Sequence, residues 1–475
     1  MEMMGNKSLT GKGVVLTFSF IPVQVLVALF FNFFLAKNAS AEMLNEWFAF
    51  VSFTAFFSLL EFSYPTLAVN FFNGKHGNAK GAFSYFIKHS LIVVVPFQLL
   101  FTFGYAFLIN SSFFFFGLGL IIRSLANLIN SYLYANKYIV IDKSYRFISA
   151  VIMPVSFILA AHIFALKINL HELMIAWFIS SLVCLCYAIV FCYINFREKD
   201  YNVDGSFSLP FKNNIKLFLT VLPAIFIYTL SIHYLELFGA KNKQGDVILY
   251  GLFLQIFNIY NLIIILVASY LIPTISKKYH EGESVVSVTF KILDLSVMLS
   301  LMAISFIVLL GGDGFKLMLQ NKVGYISECY VISIAIIFFI ETCQVVITSI
   351  GTAVGVYNFH KQSLASAVIV FVLSYFIIPK YGVIGLMSSI ITAQLVTCFV
   401  FNPLFVLKVI GVNKRGYAKK VFIHFISVVG VISLGLLTVN MKIEFKTLIF
   451  LILISVLSPF LFVRLKFLFQ GYGRQ

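Results

Sequence analysis

The sequence predicts an all-α integral membrane protein of about fourteen transmembrane helices, arranged as two pseudo-symmetric six-helix lobes and a C-terminal helix pair. Three observations carry this expectation. The chain is 61% hydrophobic and only 11% charged over 475 residues, whereas soluble domains are about half apolar and a quarter charged. Its mean hydropathy is +0.99. The apolar residues fall in runs of about 20, long enough to cross about 30 Å of hydrocarbon, and without strict alternation they are helices rather than barrel strands.

Spans are expected near 14–36, 46–72, 83–109, 113–135, 147–166, 172–194, 213–239, 247–275, 289–310, 327–356, 362–379, 384–407, 421–438 and 446–463. The first follows Lys7 and Lys12 and is too long for a signal peptide, despite the Ala39-Ser40-Ala41 behind it, so it reads as an uncleaved span. With a cytoplasmic N-terminus, inner loops hold Lys75, Lys80, Lys137, Lys143, Arg146, Arg197, Lys199, Lys212, Lys216, Lys277, Lys278, Lys361, Lys408, Lys414, Arg415, Lys419 and Lys420. The outer loops hold fewer: Lys37, Lys167, Lys241, Lys243, Lys316, Lys322, Lys380, Lys442 and Lys446. This asymmetry puts both termini inside. It also gives the net charge of +16 a topological cause. No basic domain interleaved with aromatics occurs, so nucleic acid is not an expected partner.

No loop is long enough to fold by itself. The longest hydrophilic stretch, Asn195 to Asn214, suggests a division into an N-terminal lobe (1–195), a cytoplasmic linker (196–212), a C-terminal lobe (213–407) and an accessory helix pair with its tail (408–475). Internal similarity is faint. Setting Lys143 against Lys361 also matches Ser156 with Ser374 and places Arg123 opposite Glu341. The six cysteines read as small buried hydrophobes. The histidines show no metal spacing, no cofactor is expected, and Gly311-Gly312-Asp313-Gly314 reads as a turn. With no sizeable outer loop and no clustered acids, an enzyme acting on lipid-linked sugars is not expected.

Charge inside a bilayer costs about 2.5–3.5 kcal/mol per group on insertion scales, so each instance needs a reason. Arg123 sits mid-span in the fourth helix. Asn127, Asn130, Ser131 and Tyr134 follow at helical spacing on one face. Such a stripe lines water or a polar partner, or else Arg123 pairs with a carboxylate to hold helices together. Glu341 repeats the pattern in the tenth helix, with Gln344 and Thr348 on its face. Glu61 lies near the middle of the second helix, with Pro65 one turn on. Both acids are candidates for ion coupling, or members of an ion pair such as Glu61 with Arg123. Gln24 and Asn258 give the first and eighth helices mildly polar faces, by cavity lining or inter-helix hydrogen bonding. Lys88, near the cytoplasmic start of the third helix, either snorkels to water or meets an anionic headgroup. Lys291 and Asp294 read as an interfacial pair.

Three segments carry a family resemblance. Pro379-Lys380-Tyr381-Gly382-Val383-Ile384-Gly385 is similar to the recurrent P-x-Y-G-x-x-G of the bacterial O-antigen and polysaccharide flippases, which belong to the superfamily of multidrug, oligosaccharidyl-lipid and polysaccharide exporters. Pro273-Thr274-Ile275-Ser276 resembles that family's P-x-x-S. Thr348 to Tyr357 resembles the small-residue end of its tenth helix. The resemblance implies alternating access by two six-helix bundles in the bacterial inner membrane, around a central cavity. The substrate it implies is an undecaprenyl-pyrophosphate-linked oligosaccharide. Arg123 and Lys88 would then meet the pyrophosphate, Asn127, Asn130, Ser131, Tyr134, Gln344, Thr348, Gln24 and Asn258 the sugars or the cavity, and Glu61 or Glu341 the coupling ion. It would bring a polysaccharide polymerase and a chain-length regulator as further partners, beside the lipid bilayer. The lipid II flippase of the same superfamily carries arginines in its first, second and eighth helices that this chain lacks, which argues against lipid II. Two rivals remain: an ion-coupled multidrug exporter of the same fold, and a membrane polymerase or transferase of lipid-linked sugars.

Overall fold

The structure is a computed structural model that describes residues 2–61, 79–135, 138–163, 168–195, 219, 222–239, 244–319, 322–323, 326–356 and 359–470. Backbone groups in hydrocarbon find no water, so each segment closes its own hydrogen bonds. Among the described residues all regular structure is accordingly helical. Among the described residues twelve stretches are long and apolar enough to cross a membrane. Contacts divide the chain into two compact units, Met1–Leu222 and Pro223–Gln475. The expected linker 196–212 and Pro65 lie outside the described residues.

The first unit contains α1 (Glu2–Asn38), α2 (Ala41–Leu60), α3 (Ala79–His89), α4 (Val95–Leu108), α5 (Phe113–Ala135), α6 (Ile139–Ile163) and α7 (Leu170–Asn195). Helix α1 starts well before the expected Val14. Ser40 caps α2, its Oγ accepting from Met43 N–H at 3.1 Å. A π-helical stretch, Ser90–Val94, joins α3 to α4. Pro96 follows after Val95; it has no N–H for the carbonyl four residues back, and local widening of the helix accommodates the lost bond. The main packing is α5 on α7 and α1 on α6. Lipid tails are as apolar as leucine, so this packing rests on shape rather than on hydrophobic expulsion from water. Aromatic rings supply much of it: Phe116 lies 5.0 Å and Trp47 6.2 Å from Trp177, centroid to centroid.

In the second unit a π-helical stretch, Ile225–Thr229, precedes α8 (Ile232–Phe238), α9 (Gln244–His280) and α10 (Val286–Phe306). A third π stretch, Ile307–Gly311, leads into α11 (Gly312–Leu319), followed by α12 (Glu328–Ala353), α13 (His360–Val396), α14 (Cys398–Val409), α15 (Lys414–Thr438) and α16 (Ile443–Gln470). Helix α12 is the hub, touching α9, α10, α13, α14 and α15. The Gly311 to Gly314 segment, expected as a turn, is helical instead. Its Asp313 is tied to Lys446 Nζ at 2.7 Å. Lys446, expected in an outer loop, is therefore a buried member of α16. Asp294 likewise does more than pair locally: Lys420 Nζ at 2.8 Å and His424 Nε2 at 3.0 Å reach it from α15.

The 50-residue apolar stretch His360–Val409 is far longer than one crossing of about 30 Å requires. Inside α13 the chain breaks at Gly382 (φ 56°, ψ −131°), a conformation only glycine adopts without strain. A β-carbon there would meet Asp246 Oδ2 at 1.9 Å, and one on Gly385 would meet the Ile377 carbonyl oxygen at 2.9 Å. The two glycines of the P-x-Y-G-x-x-G segment thus mark a reversal between two crossings, as the separate expected spans 362–379 and 384–407 require. We predict that Gly382→Ala destabilises the protein by about 1–3 kcal/mol, read as a lowered unfolding midpoint in detergent; an unchanged midpoint would contradict the assigned break.

Candidate functional site

Arg123 is the centre of the polar region in the first unit. One turn before it on α5 stands Gly119, where a β-carbon would come within 2.6 Å of Trp177 Cδ1. The bare glycine lets the indole close on α5. The ring then lies beside the next turn, with Arg123 Cζ 4.1 Å from its centroid. Arg123 Nη2 donates to the Ser149 carbonyl of α6 at 3.1 Å and to Ser180 Oγ of α7 at 3.5 Å. A cation–π contact contributes about 0.5–2 kcal/mol, and a hydrogen bond from a charged group about 1.5–3 kcal/mol. Together these offset the insertion cost of the charge without neutralising it. Among the described residues no carboxylate forms an ion pair with Arg123, and its buried Nε has no partner. The expected alternative of a Glu61–Arg123 pair is therefore not what the structure contains.

Glu61 differs from expectation in its local setting as well. It is not mid-helix but caps the C-terminal end of α2, its N–H bonded to the Phe57 carbonyl at 3.1 Å. Its carboxylate accepts from the Ser124 hydroxyl, and Ser124 directly follows Arg123. Gln98 of α4, fully buried, approaches the same hydroxyl and the Phe57 carbonyl, each at 3.4 Å. Its Oε1 is buried without a partner among the described residues. Gln98 was not singled out from the sequence; a lone amide within an apolar run was the available signal.

The stripe that follows Arg123 separates by task. Asn127 is exposed and accepts from Tyr145 OH at 3.0 Å. Asn130 is buried and donates to Asp142 at 2.7 Å. Ser131 bonds back to the Asn127 carbonyl at 2.8 Å, and Tyr134 is exposed. Asp142, fully buried, also receives Arg146 Nε at 3.0 Å and has Lys143 Nζ at 3.6 Å. Gln24 donates to the Arg146 carbonyl at 3.3 Å. Lys88 is exposed in an open groove with Phe83, Ser84, Ile87, Leu91 and Ile92 of its own helix and the π stretch. No described contact joins it to Arg123.

In the second unit Glu341 Oε2 accepts from Tyr228 OH at 2.9 Å. Tyr228 lies in the Ile225–Thr229 π stretch, and its own carbonyl accepts from Tyr250 OH at 2.8 Å. Gln344 donates to Gln394 at 2.8 Å, and Thr348 to the Gln344 carbonyl at 2.8 Å. Asn258 is exposed. The register that sets Arg123 against Glu341 also sets Ser180 against Cys398. Arg123 touches Ser180, and Glu341 lies within electrostatic reach of Cys398. The same register brings the Ser90–Val94 and Ile307–Gly311 π stretches within one residue of each other. In that register the two units carry opposite charges at the matched positions, Arg123 and Glu341.

No family model and no curated protein sequence matches the chain. Solved structures do. An inward-facing multidrug resistance MATE family transporter of the MOP superfamily aligns with TM-score 0.63 at 13% identity, over 83% of this chain and 98% of its own. The chain has the MATE transporter fold. An outward-facing MATE transporter aligns with TM-score 0.61 at 13% identity, over 84% of this chain and 96% of its own. A MOP superfamily transporter from Pyrococcus furiosus, described as having a binding pocket of reverse polarity that suggests a different function, gives TM-score 0.59 at 12% identity, over 84% of this chain and 94% of its own. At such identities the likeness to the MATE fold is one of architecture.

The seating of Arg123 is testable without a substrate. Gly119→Ala should push the Trp177 ring off α5 and change tryptophan emission relative to wild type. In a Trp177→Phe background, where Trp47 is the remaining tryptophan, the change should largely vanish. Equal emission changes in both backgrounds would place the disturbance elsewhere.

Proposed function

We propose that this chain is a membrane transporter working by alternating access, and that its cargo is an amphipathic anion: an undecaprenyl-pyrophosphate-linked oligosaccharide moved from the cytoplasmic to the outer face of a bacterial inner membrane. The observation that carries the reading is Arg123, an intramembrane guanidinium seated on Trp177 with no ion pair among the described residues. A cation held this way has donors left for a ligand, and a pyrophosphate is the ligand that its planar fork suits. Exposed Lys88 is a second cation for the same headgroup. Asn127 and Tyr134, exposed on the Arg123 helix, serve the sugars better than Asn130, which is committed to Asp142. Ser131, Gln24, Gln344, Thr348 and Asn258 complete the polar set, and Glu61 or Glu341 binds the coupling ion. Both termini stay cytoplasmic in this reading, and a polysaccharide polymerase and chain-length regulator act on the product.

A second reading, ion-coupled export of drugs, has the architectural neighbours on its side: two of them are described as multidrug resistance transporters, in inward-facing and outward-facing conformations. The intramembrane acids Glu341 and Glu61 suit cationic drugs. The two readings part at Arg123, which repels a cationic cargo.

Deleting the gene should trap lipid-linked intermediates on the cytoplasmic face and deplete surface polysaccharide. Complementation with Arg123→Ala should restore export at most a tenth as well as wild type, since a charged hydrogen bond contributes about 1.5–3 kcal/mol, with Arg123→Lys between the two. Unchanged polysaccharide together with raised drug sensitivity would decide for the exporter.

A further inference from the structure

We propose that the start of α6 carries a phosphate-binding site separate from Arg123, in which Arg146 and Lys143 hold the ligand and the buried Asp142 positions them. The ligand is the phosphate of a membrane-borne headgroup. Two sources share that chemistry, the diphosphate of the cargo and an anionic bilayer lipid; the first rests on the anionic-cargo reading above, the second does not.

Arg146 and Lys143, expected in an inner loop, stand instead within α6. The apolar stretch there, Val140–Ile163, has 24 residues, about 36 Å at 1.5 Å each, against about 30 Å of hydrocarbon. Its ends therefore reach the layer where headgroup phosphates lie. Three helices fix the place. Gln24 of α1 donates to the Arg146 carbonyl at 3.3 Å, and the Phe20 and Phe147 rings meet at 4.4 Å. Asn130 of α5 donates to Asp142 Oδ1 at 2.7 Å, and Arg146 Nε donates to the same oxygen at 3.0 Å. Lys143 Nζ is 3.6 Å from Asp142 Oδ2, near enough to favour the charge but too far for a hydrogen bond. The Arg146 side chain is nonetheless 62% exposed. Its two Nη groups donate to nothing among the described residues.

Positive charge at the end of a span needs no such frame. A cation that serves topology alone snorkels to water on a free side chain. Here a carboxylate is fully buried beneath the cations, which is costly unless its partners offset the desolvation. Asn130, Arg146 and Lys143 do so, and the carboxylate in turn holds the guanidinium by Nε alone. The planar Nη fork is left facing outward, the edge that suits two phosphate oxygens. Two cations to one carboxylate leave one net positive charge beside it. The buried acid is thus a positioning residue and does not itself meet the ligand. Arg123 has other partners, Trp177 and Ser180 of α7, so the two guanidinium groups form separate sites.

The test titrates two ligands, a short-chain isoprenyl diphosphate N-acetylglucosamine and a short-chain phosphatidylglycerol, onto the full-length protein in phosphatidylcholine nanodiscs. In an Arg123→Ala background, which isolates the α6 site, Arg146→Gln should weaken binding by roughly tenfold or more. Arg146→Lys, which keeps the charge and loses the fork, should stay several-fold weaker than arginine. Asp142→Ala removes a negative charge, yet should also weaken binding several-fold, because the guanidinium is no longer held. The same Arg146 variants in the otherwise wild-type protein cover the case in which Arg123→Ala does not fold. An effect on the diphosphate alone identifies the cargo as the source, and an effect on phosphatidylglycerol identifies bilayer lipid; either supports the site. Unchanged affinity for both ligands in Arg146→Gln, or Arg146→Lys equal to wild type, overturns it. Tighter binding in Asp142→Ala overturns the positioning role. Diphosphate affinity that is unchanged by Arg123→Ala but lost with Arg146→Gln would remove the anionic-cargo reading of Arg123 and leave the α6 site standing.

Discussion

A guanidinium inside hydrocarbon has to be compensated, and the means of compensation determines what it is available for. Neutralisation by a carboxylate would make Arg123 a structural rivet. Contact with an indole face and a carbonyl instead lowers the cost of the charge and leaves its field in place. That choice traces back to a missing side chain at Gly119, which admits Trp177, and to three helices that converge there. The rest of the first unit follows from it. Ser124 next door is free to hold Glu61, and Asn127 and Tyr134 lie one and three turns further along.

In the register that sets Lys143 against Lys361, the second unit inverts the charge. Glu341 takes the position of Arg123, and Cys398 that of Ser180. The π-helical widenings of the third and ninth spans recur at matching register. The two units thus carry an anion-seeking group, Arg123, and a cation-seeking group, Glu341, in similar helical surroundings.

Most of the fold was legible in the sequence, because bilayer thickness converts directly into run length and backbone satisfaction leaves only helices. The P-x-Y-G-x-x-G segment located the break at Gly382, where backbone geometry and residue type coincide. Ends were less legible. Helix α1 begins at Glu2, since nothing in apolar periodicity marks where a polar extension stops being helical. The double glycine at Gly311 and Gly312 reads as a turn, but Lys446, distant in sequence, holds Asp313 within a helix. The candidate site was legible as single residues, Arg123, Glu61 and Glu341. Their partners were not. Trp177, Tyr228 and Gln98 sit in apolar runs where an aromatic ring or a lone amide carries no address, and only the convergence of distant helices assigns their roles. The choice between an ion pair and separate sites for Glu61 and Arg123 likewise lay beyond periodicity.

The terminal hairpin has a consequence for biogenesis. Asp294 and Asp313 enter the membrane region well before the residues that satisfy them, Lys420, His424 and Lys446, have been synthesised. Until the last two helices are inserted, Asp294 lacks Lys420 and His424, and Asp313 lacks Lys446. The ion pairs that tie the ninth span to the rest of the second unit are therefore completed only when the end of the chain is in place.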